Sequence, residues 1–256
     1  MKKLLAGSAL ALIASVGMAS AGDLTCLITK NNTNPFFVKM KEGAEAAATA
    51  AGMDFQAYAG VTDGDAAPQI NAIENCVAAG AKGILITPSN DSLGPALIDA
   101  RTAGVLVIAL DTPLADKNAQ DMTFATDNFE AGLLIGQWAA ATLGADAANA
   151  KIGMLDINKD NISVDVARDT GFLVGFGIDV PNLNVMGSET DPRVIGHETS
   201  YASVEGGVTA MENLLAREPD INVVYTINEP AAEGAYQALQ NAGKTGVLVV
   251  SVDGGC

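Results

Sequence analysis

Histidine is almost missing from this chain: His197 stands alone in 256 residues. That scarcity removes most zinc sites and the common serine or cysteine triads, which need an imidazole base. Basic residues are scarce as well, 14 Lys and Arg against 30 Asp and Glu, for a net charge of −16. A chain so acidic lacks the basic footprint that nucleic acid requires. Aromatic content of 5% argues against an aromatic-rich sandwich or propeller. The nucleotide motif G-x-x-x-x-G-K-[ST] and the G-x-S-x-G elbow are both absent. The glycines of Gly171-Phe-Leu-Val-Gly175-Phe-Gly177 do not follow a strand with dinucleotide-binding spacing. What remains is 49% apolar and 17% charged, which excludes disorder and suffices for one large domain or two modest ones.

The first segment reads as an address. Lys2 and Lys3 precede an apolar run from Leu4 to Val16, and Ala19-Ser20-Ala21 supplies the small residues of a signal-peptidase site. The run is shorter than the ~20 apolar residues that span a bilayer, so residues 1–21 are expected to be a removed signal peptide. Export implies an oxidising compartment, a bacterial periplasm, which changes the meaning of the three cysteines. Cys26 and Cys76 are placed to bridge the first strand to the helix after the second, with connectivity left open. Cys256 is then the odd one, its partner expected beyond the last residue.

Short β-branched runs alternate with helical patterns along the rest of the chain. Leu24–Thr29, Gly83–Thr87, Val105–Leu110, Lys151–Leu155, Asn222–Thr226 and Val247–Val252 read as buried parallel strands. Met53–Tyr58, Met122–Ala125 and Asn184–Gly187 are weaker candidates. Pro35–Ala51 carries Phe37, Met40, Ala44, Ala47 and Ala48 at helical spacing. Asp127–Leu143 does so with Ala131, Leu134, Ile135 and Trp138, and Val204–Leu215 with Val208, Met211 and Leu214. The pattern implies βαβ units, and its restart at Lys151 favours two α/β lobes over one nine-stranded sheet. The expected lobes are 22–126 and 127–256.

Each major strand stops at a polar residue: Thr29-Lys30-Asn31, Thr87, Asp111, Asp156, Asn228 and Asp253. Ligands of open parallel sheets bind outside the strands' C-terminal ends, so facing lobes would line one cleft with this series. Helix capping is the competing explanation for any single member. Such a cleft suits a polyol. Carboxylates and amides meet paired hydroxyls, arginine offers a fork of donors, and rings cover the C–H face. Phe36 and Phe37 follow Asn34-Pro35 at the first strand-to-helix junction. Adjacent helical positions point about 100° apart, so only one can face the core fully. His197, after Arg193-Val-Ile-Gly196, reads as a surface residue in a connection.

At this point the residues carry a resemblance. Asn31-Asn-Thr-Asn-Pro-Phe-Phe-Val-Lys-Met-Lys-Glu-Gly43 resembles the first loop and helix of periplasmic sugar-binding proteins of the ribose-binding type. Gly83-Ile-Leu-Ile-Thr-Pro-Ser89, Val107-Ile-Ala-Leu-Asp-Thr-Pro113, Phe124-Ala-Thr-Asp-Asn128, Asn228-Glu-Pro-Ala231 and Val249-Val-Ser-Val-Asp-Gly254 continue it in order. Leu110-Asp-Thr-Pro-Leu114, Leu134-Ile-Gly-Gln-Trp138 and Ser251-Val-Asp-Gly-Gly-Cys256 are more similar to fructose-binding proteins of bacterial ABC transporters. The resemblance implies two Rossmann-like lobes with parallel sheets joined by a hinge, the type I periplasmic binding protein fold, truncated at its C-terminal end. It implies ligand contacts from Asn34, Phe36, Phe37, Asp111, Thr112, Arg168, Asn228 and Asp253. Ribose binders carry arginine directly after the aspartate at the Asp111 position. Thr112 stands there, which leaves more room, one fewer fork of donors, and argues against ribose itself.

The function so implied is that of a non-catalytic receptor. It closes on a monosaccharide, fructose in particular, and delivers it as a monomer to an inner-membrane ABC permease. No cofactor is implied and no metal is required. A periplasmic sensor presenting its closed form to a chemoreceptor or kinase is the alternative. A glycosidase drawing on two of Asp111, Asp156, Asp165 and Asp253 is a third reading, without a dedicated acid–base motif behind it. A DNA-binding repressor is excluded by the export signal and the missing basic headpiece.

Overall fold

The computed structural model describes residues 22–253, so the expected signal segment and Cys256 lie outside the described residues. The chain begins with β1 (Leu24–Thr29), α1 (Pro35–Ala50), β2 (Asp54–Ala59), α2 (Ala67–Ala78), β3 (Gly83–Ile86), α3 (Gly94–Thr102), β4 (Leu106–Leu110) and β5 (Met122–Phe124). These strands form a parallel sheet in the order β2-β1-β3-β4-β5. It continues with α4 (Asn128–Leu143), β6 (Ile152–Asp156), α5 (Ser163–Phe176), β7 (Val194–Thr199), α6 (Val204–Arg217), β8 (Val223–Thr226), α7 (Glu229–Asn241) and β9 (Leu248–Ser251). The second sheet, also parallel, has the order β7-β6-β8-β9. The six strands expected most strongly all form, with ends moved by no more than a residue. Buried β-branched runs on both faces of a sheet leave little freedom of assignment.

Both sheets wind outward from their first strand in the same way. The order therefore reverses between β1 and β3, and again between β6 and β8. At such switch points the neighbouring connections leave to opposite faces and open a crevice at the strands' C-terminal ends. Ile28, Ile84, Ile86, Ile73, Leu97 and Val107 form the first lobe's core. Cys26 of β1 and Cys76 of α2 are joined there in a disulfide. The second sheet is covered on one side by a cluster around Met154, Phe172 and Tyr225, and on the other by one around Met211, Leu214 and Leu239.

Three expectations are corrected. Asn184–Gly187 is a turn, and the strand lies ten residues later at Val194–Thr199. This strand pairs with β6 alone, at the sheet's edge, so its residues are half-buried and polar ones are tolerated. Its Gly-His-Glu-Thr run lacks the apolar signature for that reason. His197 consequently belongs to a strand and is no surface residue: its imidazole is hydrogen-bonded to Asp156 and Glu189, each at 2.8 Å. Finally, α4 does not bury the bulky face. Gly132, Gly136 and Ala139 are its inward positions, while Leu134 and Trp138 stay exposed.

Candidate functional site

The chain leaves β4 in an unusual way. Asp111 takes the left-handed backbone conformation, with φ at 65°, and Asp253 repeats it after β9 at 78°. Aspartate tolerates this region better than most residues, because its short polar side chain bonds locally. Both carboxylates are thereby placed at the C-terminal end of a sheet.

On the first lobe, Asp111 is met by a lysine from β1's end. Lys30 is buried, and its Nζ donates to Asp111 Oδ2 at 3.3 Å and to Thr112 Oγ1 at 2.8 Å. The Thr112 hydroxyl donates in turn to Asp111 Oδ2 at 2.7 Å. Burial by itself would push the Asp111 carboxyl up, but Lys30 and the Thr112 hydroxyl hold it below the usual carboxylate range. Asn31 shapes the loop that follows. Its Oδ1 accepts the Thr33 and Asn34 N–H groups, and its Nδ2 donates to Asp63 Oδ1 at 2.9 Å. Burial pushes the Asp63 carboxyl up, with Lys30 offsetting part of the effect. Asn34 caps α1 by accepting the Phe36 N–H at 2.9 Å, which spends Oδ1 and leaves Nδ2 for the cleft. Phe37 is buried, Phe36 is 42% exposed, and the rings meet edge to face at 5.3 Å.

The second lobe supplies Arg168 from the buried face of α5. Its Nη1 and Nη2 reach the two Asp253 oxygens at 3.3 and 3.1 Å. Nε donates to Asn128 Oδ1 at 2.8 Å, and Nη1 also donates to the Ile227 carbonyl at 3.0 Å. These contacts hold the guanidinium plane in one orientation at the junction of α4, α5 and β8. Burial raises the Asp253 carboxyl, and the Arg168 charge offsets this only in part. Asn228 is committed at both ends of its amide: Oδ1 caps α7 at Ala231, and Nδ2 donates to the Ala202 carbonyl.

These groups converge on one cavity of about 20 Å³ between the two sheets. Asn34, Phe36, Phe37, Asp111, Arg168, Asn228 and Asp253 line it, with Ile157, Val164 and Ile227 as its apolar side. Thr112 is buried behind Asp111 and does not line the cavity. Lys30 and Asp63 line it too, although sequence reasoning named neither as a site residue. The available signal was Lys30's place in the series of polar strand ends, at the β1–β3 switch point. A lysine there reads as solvent-facing until Asp111 is seen opposite. A wider recess of about 520 Å³, partly open to solvent, adjoins the cavity through Asn34 and Asp63. Tyr201 lines that recess and not the cavity.

The chemistry assembled is a set of acceptors and donors of both charges around a small, partly apolar space. Asp111 and Asp253 each have one cation and spare lone pairs, and Asp63 is met by the Asn31 amide, so hydroxyls can be bound at the two ion-paired carboxylates. Asp156 and Asp165 lie outside this lining.

The family model for the periplasmic binding protein domain matches residues 25–255. The ribose import binding protein of Escherichia coli K12 is 30% identical over 249 residues, covering 96% of this chain and 78% of that one. Among solved structures, a periplasmic solute-binding protein of an ABC transporter from Actinobacillus succinogenes, with bound D-allose, superposes with a TM-score of 0.72 at 23% identity. It covers 90% of this chain and 77% of its own. A carbohydrate transporter solute-binding protein from Agrobacterium radiobacter, in complex with D-arabinose, superposes at 0.76 with 22% identity, covering 91% and 76%.

Proposed function

The chain belongs to the periplasmic binding protein family, in its ribose-binding type, and on that premise we propose that it is the sugar-binding component of an ABC importer. It closes two lobes, 22–126 and 127 onward, around one monosaccharide in the periplasm and presents it to an inner-membrane permease. The observation that carries this reading is the cavity in which Asp111 with Lys30 faces Arg168 with Asp253 across the lobes. Phe36 covers the C–H face of the ring, Asn34 Nδ2 donates to a hydroxyl, and Asp111 and Asp253 accept from hydroxyls. Arg168 and Lys30 donate. Against burial, Lys30 holds the Asp111 carboxyl below the usual carboxylate range, while Arg168 offsets part of the rise that burial imposes on Asp253.

Fructose is the sugar proposed. Thr112 in place of an arginine removes a fork of donors beside Asp111, and Lys30, which bonds both Thr112 and Asp111, supplies a single donor there from another strand. Micromolar binding needs about −8 kcal/mol. Hydrogen bonds to charged groups, each worth about 1.5–3 kcal/mol, together with ring burial reach that figure. Binding without hydrolysis fits the same geometry. Of the four carboxylates a glycosidase would draw on, Asp111 and Asp253 are each held by a cation, and Asp156 and Asp165 face elsewhere.

Calorimetry and thermal shift against fructose, ribose, allose, xylose, galactose and inositol test the proposal. A sugar at 100 times its Kd adds about 2.7 kcal/mol of stability. Fructose is expected to give the largest shift. A larger shift with another sugar overturns the fructose assignment, and no shift with any sugar overturns the function.

A further inference from the structure

Arg168 faces the cavity, but Asp169, the next residue of α5, is buried within the second lobe. There it meets Asp156 from the end of β6 and His197 from β7. His197 Nδ1 lies 2.8 Å from Asp156 Oδ2 and 3.5 Å from Asp169 Oδ2. On the far side of the ring, Nε2 is 2.8 Å from Glu189 Oε1. Asp165, also buried, adds a fourth carboxylate close by.

The cluster is short of partners. Both Asp169 oxygens, one oxygen each of Asp156, Asp165 and Glu189, and the Tyr225 hydroxyl are buried without a hydrogen bond. Tyr225 is the independent witness, because it comes from β8 and is itself fully buried. Its ring stacks on Phe172 at 4.8 Å, and its hydroxyl stands in the field of Asp169, Asp165 and Asp156. Three carboxylates thus meet one imidazole, with Asp165 beside Asp156 and Asp169, so the group has at most one positive charge of its own.

The separations suit one shared ion. Donor atoms bound to a small dication at about 2.0–2.2 Å stand about 3–3.5 Å from one another. The Asp156, Asp169 and His197 donors already lie within 4.8 Å of one another. Burial opposes a charged imidazole, but the carboxylates push the His197 pKa up to about 11. An ion would therefore displace the proton shared between Nδ1 and Asp156, while Glu189 accepting from Nε2–H would orient the ring, as carboxylates behind metal-bound imidazoles do. We propose that Asp156, Asp169 and His197 hold a divalent ion of the zinc or manganese type, with Glu189 orienting the imidazole. The mixed imidazole and carboxylate set favours these metals over calcium, which takes six to eight oxygens. The ion ties β6, β7 and α5 together, and α5 carries Arg168.

The test uses the full chain, stripped with a chelator and dialysed, with no sugar present. Zinc, manganese or calcium chloride is then added, and metal content and melting temperature are measured. One zinc or manganese per chain is expected, with a rise in melting temperature. Asp169→Asn should abolish that rise while its metal-free form melts no lower than the metal-free parent, since the amide removes a buried charge. Glu189→Gln keeps all three ligands and should bind the ion about 10–100 times more weakly, which carries the test if Asp169→Asn does not fold. Three results overturn the proposal: no rise with zinc or manganese, a response to calcium alone, or a rise unchanged in the variants.

Discussion

Asp111 and Asp253 occupy mirrored places, one per lobe, yet their surroundings push their carboxyls in opposite directions. Lys30 and Thr112 hold Asp111 low, whereas burial keeps Asp253 high despite Arg168. On acidification Asp253 therefore takes up its proton first. Sugar affinity should begin to fall above the ordinary carboxylate pKa of about 4, and Asp253→Asn should remove that early limb of the profile in calorimetry. For stability the signs differ. Asp111 contributes fully above its unfolded pKa and loses the contribution as pH falls through its lowered folded value. Ionised Asp253 costs stability, and protonation at its raised value relieves the cost. Lys30→Met leaves a buried carboxylate without its cation, a loss of roughly 3 kcal/mol when such a pair is broken. Urea unfolding should show that loss, and calorimetry at least a tenfold weaker sugar. Unchanged affinity would remove Lys30 from the site.

Among the elements, α4 and α5 show what the glycines of the Gly171–Gly177 stretch are for. A methyl on Gly132 or Gly136 would run into the Arg168 or Phe172 carbonyl, and one on Gly171 or Gly175 into the Phe129 or Leu133 carbonyl. The two helices lie backbone against backbone, each through an i, i+4 pair of glycines. Gly207 and Gly234 do the same for α6 and α7. Replacing a helical glycine by alanine ordinarily gains about 1 kcal/mol, as Gly43→Ala in α1 should, because nothing lies within 4 Å of the added carbon. Gly136→Ala should instead lose about 1–3 kcal/mol by overpacking. It should also weaken the sugar, because α5 shifts with Arg168 on it. Thermal unfolding and calorimetry on the pair of variants separate the two effects. The same contact explains why the apolar periodicity of α4 misled: Leu134 and Trp138 look like the core stripe, but the closest packing belongs to residues without side chains.

For the whole molecule, the Cys26–Cys76 disulfide closes a loop across 50 positions of the first lobe. Loop-closure entropy for that length amounts to about 4 kcal/mol, so reduction should lower the urea midpoint strongly. The bridge lies in the core and not in the cavity lining. Reduced protein that is still folded should therefore keep its sugar-induced shift; loss of the shift would show that the first lobe alone does not hold β1's end in place. Much of this architecture was legible in advance. Strand positions, the two-lobe division and the polar strand ends follow from local apolar runs and where they stop. The edge strand β7 was not legible, because a strand with one neighbour can stay polar and leaves no apolar run.

The sequence alone determined the βαβ order, the family and most of the groups that line the cleft, because these depend on residue type and spacing within a few turns of chain. Only the tertiary structure decided which charges pair. Lys30 finds Asp111 across 81 positions, and Arg168 finds Asp253 across 85. It also decided that His197, which reads as a lone surface residue, stands against the carboxylates of Asp156, Asp169 and Glu189. Pairing is a property of distance in space, and the folded sheets bring together strand ends that the chain keeps far apart.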